Sequence, residues 1–309
     1  MRATPMGTTG LTAPVQGLGC MRMIESGEPA DGSDAFTVIN RAVDLGVTLL
    51  DTADMYGHGH NEELVGRAVR HRRPDVLLCT KFGAVYGSDG ALTFRGDPPY
   101  VRAACDASLN RLGTDVIDLY YLHRRDPTVP IEETVGAMAQ LVTAGKVRHL
   151  GLSEVTGDEL RAAHAVHPIA AVQSEWSVCS RGIEVMAPVC VELGVGVVPY
   201  CPQGAGLFNG AVDLMKSQLA DAAPDYIRLP ELLADIARRH GAKPGQIALA
   251  WVQQRAAVWG VPVSPIPGTT RLRHLEENVA ALDIVLDAEE LVQLDIPGTH
   301  GDWSATPRR

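Results

Sequence analysis

Short runs of apolar, often β-branched residues recur along this chain, and each is followed by a segment whose apolar positions have helical spacing. The runs are Val15–Cys20, Val47–Asp51, Val76–Lys81, Val116–His123, Val147–Ser153, Ala170–Gln173, Val195–Tyr200 and Val263–Pro267. The amphipathic segments are Asp34–Leu45, Asn61–Arg70, Pro99–Leu112, Ile131–Ala144, Gly157–Ala165, Ile183–Leu193, Pro230–His240 and Arg271–Leu282, with an additional helix at Pro244–Gln254. Strict strand–helix alternation predicts a parallel sheet with helices outside it. Eight such units in 309 residues predict an α/β fold of the (β/α)8 barrel type, one domain over residues 1–309, rather than an open sheet.

The polar residues that end these runs carry the next inference. Asp51, Lys81, His123, Ser153 with Glu154, Gln173 with Glu175, and Gln203 each follow an apolar stretch. A barrel builds its chemistry at the carboxyl ends of its strands, so this series predicts a site there. Two loop-rich segments, Gly83–Pro99 and Pro202–Leu229, also follow strands and are expected to overhang the same face.

Composition narrows the partners. The net charge is −10, which argues against a nucleic-acid surface or a polybasic membrane patch. No apolar run is long enough to span a membrane. Met1–Leu11 lacks the charged and apolar regions of a signal peptide. The six cysteines, Cys20, Cys79, Cys105, Cys179, Cys190 and Cys201, form no C-x-x-C pair and are expected to be reduced thiols in a cytoplasmic protein. Gly17-Leu-Gly19-Cys-Met-Arg22 lacks the third glycine of the dinucleotide fingerprint, and no phosphate-binding G-x-x-x-x-G-K-[ST] occurs. His58-Gly-His60 and His164-Ala-Val-His167 have no convergent set of further ligands, so no metal is expected.

Four residues form the sharpest constellation. Asp51 closes the second run, and Tyr56 lies a short turn beyond it. Lys81 ends the third run in a chain with only four lysines. Lysine is rarely buried without a partner, and Asp51 in the same cavity would supply one. An ammonium beside Tyr56 is expected to lower its pKa and make it a proton donor near neutral pH. His123 ends the fourth run, where a histidine can hydrogen-bond a substrate carbonyl.

At these residues the chain resembles an aldo-keto reductase. The resemblance is carried by Asp51-Thr-Ala-Asp-Met-Tyr-Gly with Asn61-Glu-Glu-Leu-Val-Gly-Arg, Cys79-Thr-Lys-Phe-Gly, the stretch from Ser108 to His123, Gly145-Lys-Val-Arg-His-Leu-Gly-Leu-Ser-Glu, Gln173-Ser-Glu-Trp-Ser, and Pro265-Ile-Pro-Gly-Thr with Leu275-Glu-Glu-Asn. These stand in family order from about Gly17 to about Leu282. The resemblance implies NADP(H) laid across the carboxyl face and a catalytic tetrad of Asp51, Tyr56, Lys81 and His123, with Tyr56 protonating a carbonyl oxygen as hydride arrives. It implies that Ser153 and Gln173 hold the carboxamide and Tyr200 stacks on the nicotinamide. Gly19, Met21, Arg22, Pro202, Gly204, Leu207, Ile266, Gly268, Thr270, Arg271, His274, Glu277 and Asn278 complete the implied cofactor site.

Candidate substrate-wall residues are Met23, Met55, Phe82, Arg124, Trp176, Phe208 and Trp303; Arg22 and Arg124 suggest a polar or anionic group. Arg22 stands where the family commonly has a small residue, Gln203-Gly-Ala205-Gly replaces a usual leucine and arginine, and Thr270 and His274 stand where basic residues often meet the adenosine phosphate. Arg271, Arg273, Thr269 and Thr270 at the start of a helix are expected to favour NADPH over NADH modestly. The reading is hydride transfer from NADPH to a small aldehyde, ketone or keto-sugar. The intact tetrad argues against a non-catalytic nucleotide-binding subunit on the same barrel, and the absence of clustered ligands argues against a metal-dependent hydrolase or isomerase.

Overall fold

The structure, a computed structural model, describes residues 1–23, 35–87, 90–209 and 228–295. The chain opens with an antiparallel pair, β1 (Ala3–Pro5) and β2 (Thr12–Pro14). Then come β3 (Leu18–Gly19), β4 (Leu49–Asp51) and β5 (Leu77–Phe82), a small hairpin of β6 (Ala84–Tyr86) and β7 (Leu92–Phe94), and β8 (Ile117–Leu122), β9 (Val147–Ser153), β10 (Ile169–Glu175) and β11 (Gly196–Tyr200). Seven strands pair in parallel in the order β3-β4-β5-β8-β9-β10-β11. Helices α1 (Ala35–Asp44), α2 (His60–Val69), α3 (Pro98–Leu112), α4 (Ile131–Thr143), α5 (Gly157–Val166) and α6 (Ala187–Leu193) alternate with them, followed by Leu229–Arg239, Pro244–Trp259 and Leu272–Ala280.

The eighth expected strand, Val263–Pro267, forms no continuous ladder. Pro262, Pro265 and Pro267 have no N–H to donate. Their carbonyls still accept: Val197 N donates to Pro262 O at 2.8 Å, Gly17 N to Pro265 O at 2.9 Å and Gly19 N to Pro267 O at 3.4 Å. Ser264 N and Ile266 N donate to Val197 O and Pro199 O. The segment therefore bridges β11 to β3 and closes the (β/α)8 barrel.

Period-two alternation within the strands sorts their side chains into two layers. Leu77, Cys79, Leu49, Leu119, Tyr121, Ala171 and Val198 pack inside the barrel with Met6, Leu11 and Ala13 of the first hairpin. Leu50, Leu78, Phe82, Tyr120, Leu122, Leu152 and Val172 face the helices. Counting on by two along the inner row leads from Leu49 to Asp51, Cys79 to Lys81, Tyr121 to His123, Ala171 to Gln173 and Val198 to Tyr200. The polar strand ends thus inherit an inward direction. The amino-terminal hairpin was not expected from the polar, small composition of Met1–Leu11; it plugs the end of the barrel opposite the site.

Local signals set the helix ends. Asp97 caps α3 by accepting from Tyr100 N at 3.2 Å, and Thr156 with Glu159 forms a capping box on α5. The segment expected as one helix over Ile183–Leu193 divides into a 3-10 turn, Gly182–Met186, and α6, which has Pro188 in its first turn. The expected loop Gly83–Pro99 contains β6 and β7, while most of Pro202–Leu229 lies outside the described residues.

Candidate active site

The turn after β4 holds Tyr56 over the barrel mouth. Gly57, His58 and Gly59 adopt left-handed backbone angles, with φ of 56°, 54° and 94°, so the chain reverses sharply into α2. At His58 this conformation is uncommon for a residue with a Cβ. Flanking side chains fix the turn: Thr52 Oγ1 donates to Asn61 Oδ1 at 2.6 Å, and Asn61 Nδ2 donates to Cys20 O and Met23 O. Asn61 belongs to the motif that carried the resemblance, but its role as the clamp on this turn was not deduced from sequence. Glu62 has a similar part, accepting from Thr80 Oγ1 at 2.6 Å and Arg111 Nε at 2.7 Å in full burial.

Beneath the turn lies the Lys81 ammonium, buried on all sides and paired with Asp51. Lys81 Nζ also donates to Thr52 O at 2.8 Å and stands 3.3 Å from the Tyr56 hydroxyl. Gln173 Nε2 donates to the second oxygen of Asp51 at 2.8 Å. The rings of Tyr56 and His123 meet edge to face, with centroids 5.8 Å apart. The structure therefore brings all four tetrad candidates together.

Electrostatics alter one expectation. Burial pulls the Lys81 pKa down, but Asp51 and Tyr56 together outweigh it and hold the ammonium above its ordinary range. Tyr56 moves opposite to what the sequence suggested. Burial raises the phenol above its usual 10 and outweighs the lowering effect of Lys81. Burial, with Lys81 and Arg124, pushes His123 well below 6.5, so its imidazole is neutral, and its buried Nδ1 has no partner among the described residues.

These groups open into a cavity of about 690 Å³. Gly19, Met21, Arg22, Met55, Arg124, Ser153, Gln173, Tyr200, Pro202, Ile266, Gly268, Thr270, Arg271 and His274 line it, together with Asp51, Tyr56 and His123. Lys81 sits behind this surface. Gln203 and Thr269, both expected on this face, line it too, and so do Ala84, Leu92, Cys201, Ala205, Gly206, Asn209 and Pro267, which were not singled out.

Other expected residues lie elsewhere. Met23, Phe82, Trp176 and Phe208 are buried in the packed core and do not line the cavity. Phe82 follows Lys81 by one position, so the strand's alternation turns it outward, where it stacks on Tyr120 at 4.8 Å. Trp176 is held by its indole N–H donating to Glu184. Gly204, Leu207, Glu277 and Asn278 stand behind the wall: Asn278 accepts from Gln203, and Glu277 pairs with Lys243. Arg273 reaches toward Glu277 at 3.5 Å, which leaves Arg271 as the arginine of that pair on the cavity. Trp303 lies outside the described residues.

At the mouth of the barrel a buried ammonium thus stands 3.3 Å from a phenol that faces a cavity large enough for a small molecule. The comparisons with known proteins identify the lineage. The chain matches the Aldo/keto reductase family over residues 17–296. It is 41% identical over 303 residues to "Probable aldo-keto reductase 1" of Glycine max, covering 94% of this chain and 86% of that protein. Among solved structures it is similar to the thermostable aldo-keto reductase Tm1743 bound to the inhibitor epalrestat, with a TM-score of 0.78, 30% identity and coverage of 96% and 99% of the two chains. An aldo-keto reductase from Klebsiella pneumoniae in complex with NADPH gives a TM-score of 0.73 and 31% identity, over 95% of this chain and 94% of that one. The chain belongs to the aldo/keto reductase family, a family of oxidoreductases. No helix among the described residues is long and apolar enough to cross a membrane.

Proposed function

We propose that this protein reduces a small aldehyde, ketone or keto-sugar with NADPH, using Tyr56 as the proton donor. The observation that carries this is the Lys81 ammonium, paired with Asp51 in full burial and 3.3 Å from the Tyr56 hydroxyl. A buried lysine needs a counter-ion, which Asp51 supplies, and the same ammonium is within reach of the phenol.

The residues present fit a dinucleotide. Leu272–Ala280 begins without a side-chain cap, so its first-turn amides and the helix dipole favour an anion there, beside Thr269, Thr270 and Arg271. At the other end, Asp51 holds Gln173 by its Nε2, which leaves the carbonyl oxygen of that side chain to accept from a carboxamide. Ser153 and Tyr200 supply a hydroxyl and a ring plane on the same surface. The Klebsiella relative solved with NADPH supports this choice of cofactor.

When bound, a reduced nicotinamide supplies the hydride. Tyr56 hydrogen-bonds the substrate oxygen and gives up its proton as charge develops there. His123, neutral and lining the cavity, donates a second hydrogen bond to that oxygen. Lys81 stabilises the phenolate that Tyr56 becomes, and Asp51 keeps Lys81 charged and in place. Carbonyl-dependent loss of reduced-nicotinamide absorbance tests the reading. Turnover by wild type and its loss in Tyr56→Phe is the expected result; NADPH binding with no turnover of any aldehyde or ketone refutes it.

A further inference from the structure

Two arginines on the cavity wall, Arg22 and Arg124, are not used by the chemistry above, and Arg22 is exposed. Arg124 follows His123 directly and is half-buried in the cavity wall. Its Nη1 donates to His123 O at 2.9 Å and to Ser153 Oγ at 3.1 Å. The guanidinium is thereby fixed beside the site, close enough that its charge adds to the fall of the His123 pKa and partly opposes the burial-driven rise at Tyr56 and Tyr200.

Among the described residues no carboxylate lies within 4 Å of Arg124. That sets it apart from the other arginines withdrawn from solvent. Arg72, Arg73, Arg111, Arg181 and Arg255 each face an aspartate or glutamate. Even its neighbour Arg125 pairs with Glu159 at 3.2 Å. A guanidinium cannot discharge itself by losing a proton, so a partly desolvated one without a counter-ion is a standing electrostatic demand. Nη1 is committed to protein acceptors, whereas the Nε and Nη2 hydrogens have no partner among the described residues. Those two nitrogens form the flat edge that matches a carboxylate with two parallel hydrogen bonds.

We propose that Arg124 is the anion-holding residue of the substrate pocket, and that the preferred substrate is a short oxo-acid whose carboxylate lies a few bonds from the reacting carbonyl. This rests on the reductase reading for the carbonyl, but the anion site is a separate claim. Tyr56 and His123 fix the position of the carbonyl oxygen. Arg124, joined to His123 through the backbone, fixes a second point within the reach of one small molecule. Lys81 is already consumed by Asp51 and Tyr56, and Arg22 and Arg271 on the cavity wall are exposed, so the carboxylate falls to Arg124, which is half-buried and held beside His123.

Two measurements test this. The first is kcat/KM for 2-, 3- and 4-carboxybenzaldehyde against their methyl esters. At least one acid should be preferred over its ester by about tenfold to a hundredfold, the worth of a charge-assisted pair of hydrogen bonds. Arg124→Gln should collapse that ratio toward one, and Arg124→Lys should restore only part of it. The second, which needs no turnover, is calorimetric titration of benzoate and benzamide into the protein–NADPH complex. Benzoate should bind at least tenfold more tightly, and Arg124→Gln should remove the difference. Equal binding of benzoate and benzamide, or an acid-to-ester ratio unchanged in Arg124→Gln, overturns the proposal. Arg124-dependent benzoate binding without reduction of any aldehyde upholds the anion site and refutes the reductase reading.

Discussion

Replacing Lys81 by methionine isolates the interaction on which the proposed chemistry depends. The ammonium stands 3.3 Å from the Tyr56 hydroxyl. At an effective dielectric of about 20, a full charge at that distance stabilises a phenolate by about 5 kcal/mol. If about half of that charge has developed in the transition state, the loss is about 2.5 kcal/mol, or roughly a hundredfold in kcat. The single substitution also leaves Asp51 buried, with Gln173 as its one remaining side-chain hydrogen-bond donor among the described residues. Breaking a buried pair in that way destabilises by about 3–5 kcal/mol. The double variant Asp51→Asn/Lys81→Met removes the orphaned charge and separates stability from rate. Thermal unfolding of the double variant should therefore fall closer to wild type than that of Lys81→Met alone. Its kcat, followed by NADPH absorbance with a saturating aldehyde, should stay down by about two orders of magnitude. A folded double variant within about threefold of wild-type kcat would refute the role given to the ammonium.

Three further outcomes are expected. Tyr56→Phe should lower kcat by about 10²–10⁴-fold while NADPH affinity, measured by fluorescence titration, stays within a few-fold; combining it with Lys81→Met should add little, because the two act as one unit. Arg271→Ala should lower kcat/KM for NADPH more than for NADH, and the wild-type preference should be flat above pH 6.5, since burial lowers the His274 pKa and leaves that ring neutral there. Asp54, pushed up from 3.8 to about 7 by burial and by nearby Glu62, is protonated in the folded state over a range where the unfolded chain is ionised. Its contribution to stability is present below about pH 4 and lost as pH rises through 7, so Asp54→Asn should gain on the order of 1–2 kcal/mol over wild type in denaturant melts at pH 8 and converge with it toward pH 4.

The parts of the fold that were legible are those where one physical rule dominates. Strands buried on both faces must be continuously apolar, and a polar residue ending such a run on the inner row has little to face except the cavity. That is why Asp51, Lys81, His123 and Gln173 stood out in the sequence, whereas Tyr200 was named only through the resemblance. The same alternation would have excluded Phe82, which is one residue out of step with Lys81; the motif drew attention to the ring, but parity decides its direction. Met23, Trp176 and Phe208 sit beside site motifs in sequence, and only packing shows them turned into the core. The strands of the first hairpin are three residues each and carry too few apolar positions to show a period. The last strand was legible as an apolar run, although its prolines reduce it to isolated bridges. Leu92, Ala84 and Asn209 reach the cavity from a small hairpin and a 3-10 turn, where no repeating pattern indicates direction.

The direction of the Tyr56 shift shows what charges alone leave out. A lysine beside a tyrosine lowers the phenol's pKa when both are solvated to the same degree. Here the phenol is half-buried at the cavity wall, and desolvation of its anionic form outweighs the ammonium. Tyr56 therefore remains protonated at neutral pH, which is the state a proton donor needs. In the proposed reaction Lys81 does not ionise the phenol in advance. Its stabilisation grows as the proton leaves, so it lowers the transition state more than the ground state, and only such a difference accelerates the step. Burial serves the same end, because the low dielectric that discourages premature ionisation also strengthens the attraction once charge has moved. The two opposing effects on one pKa thus act at different points along a single proton transfer.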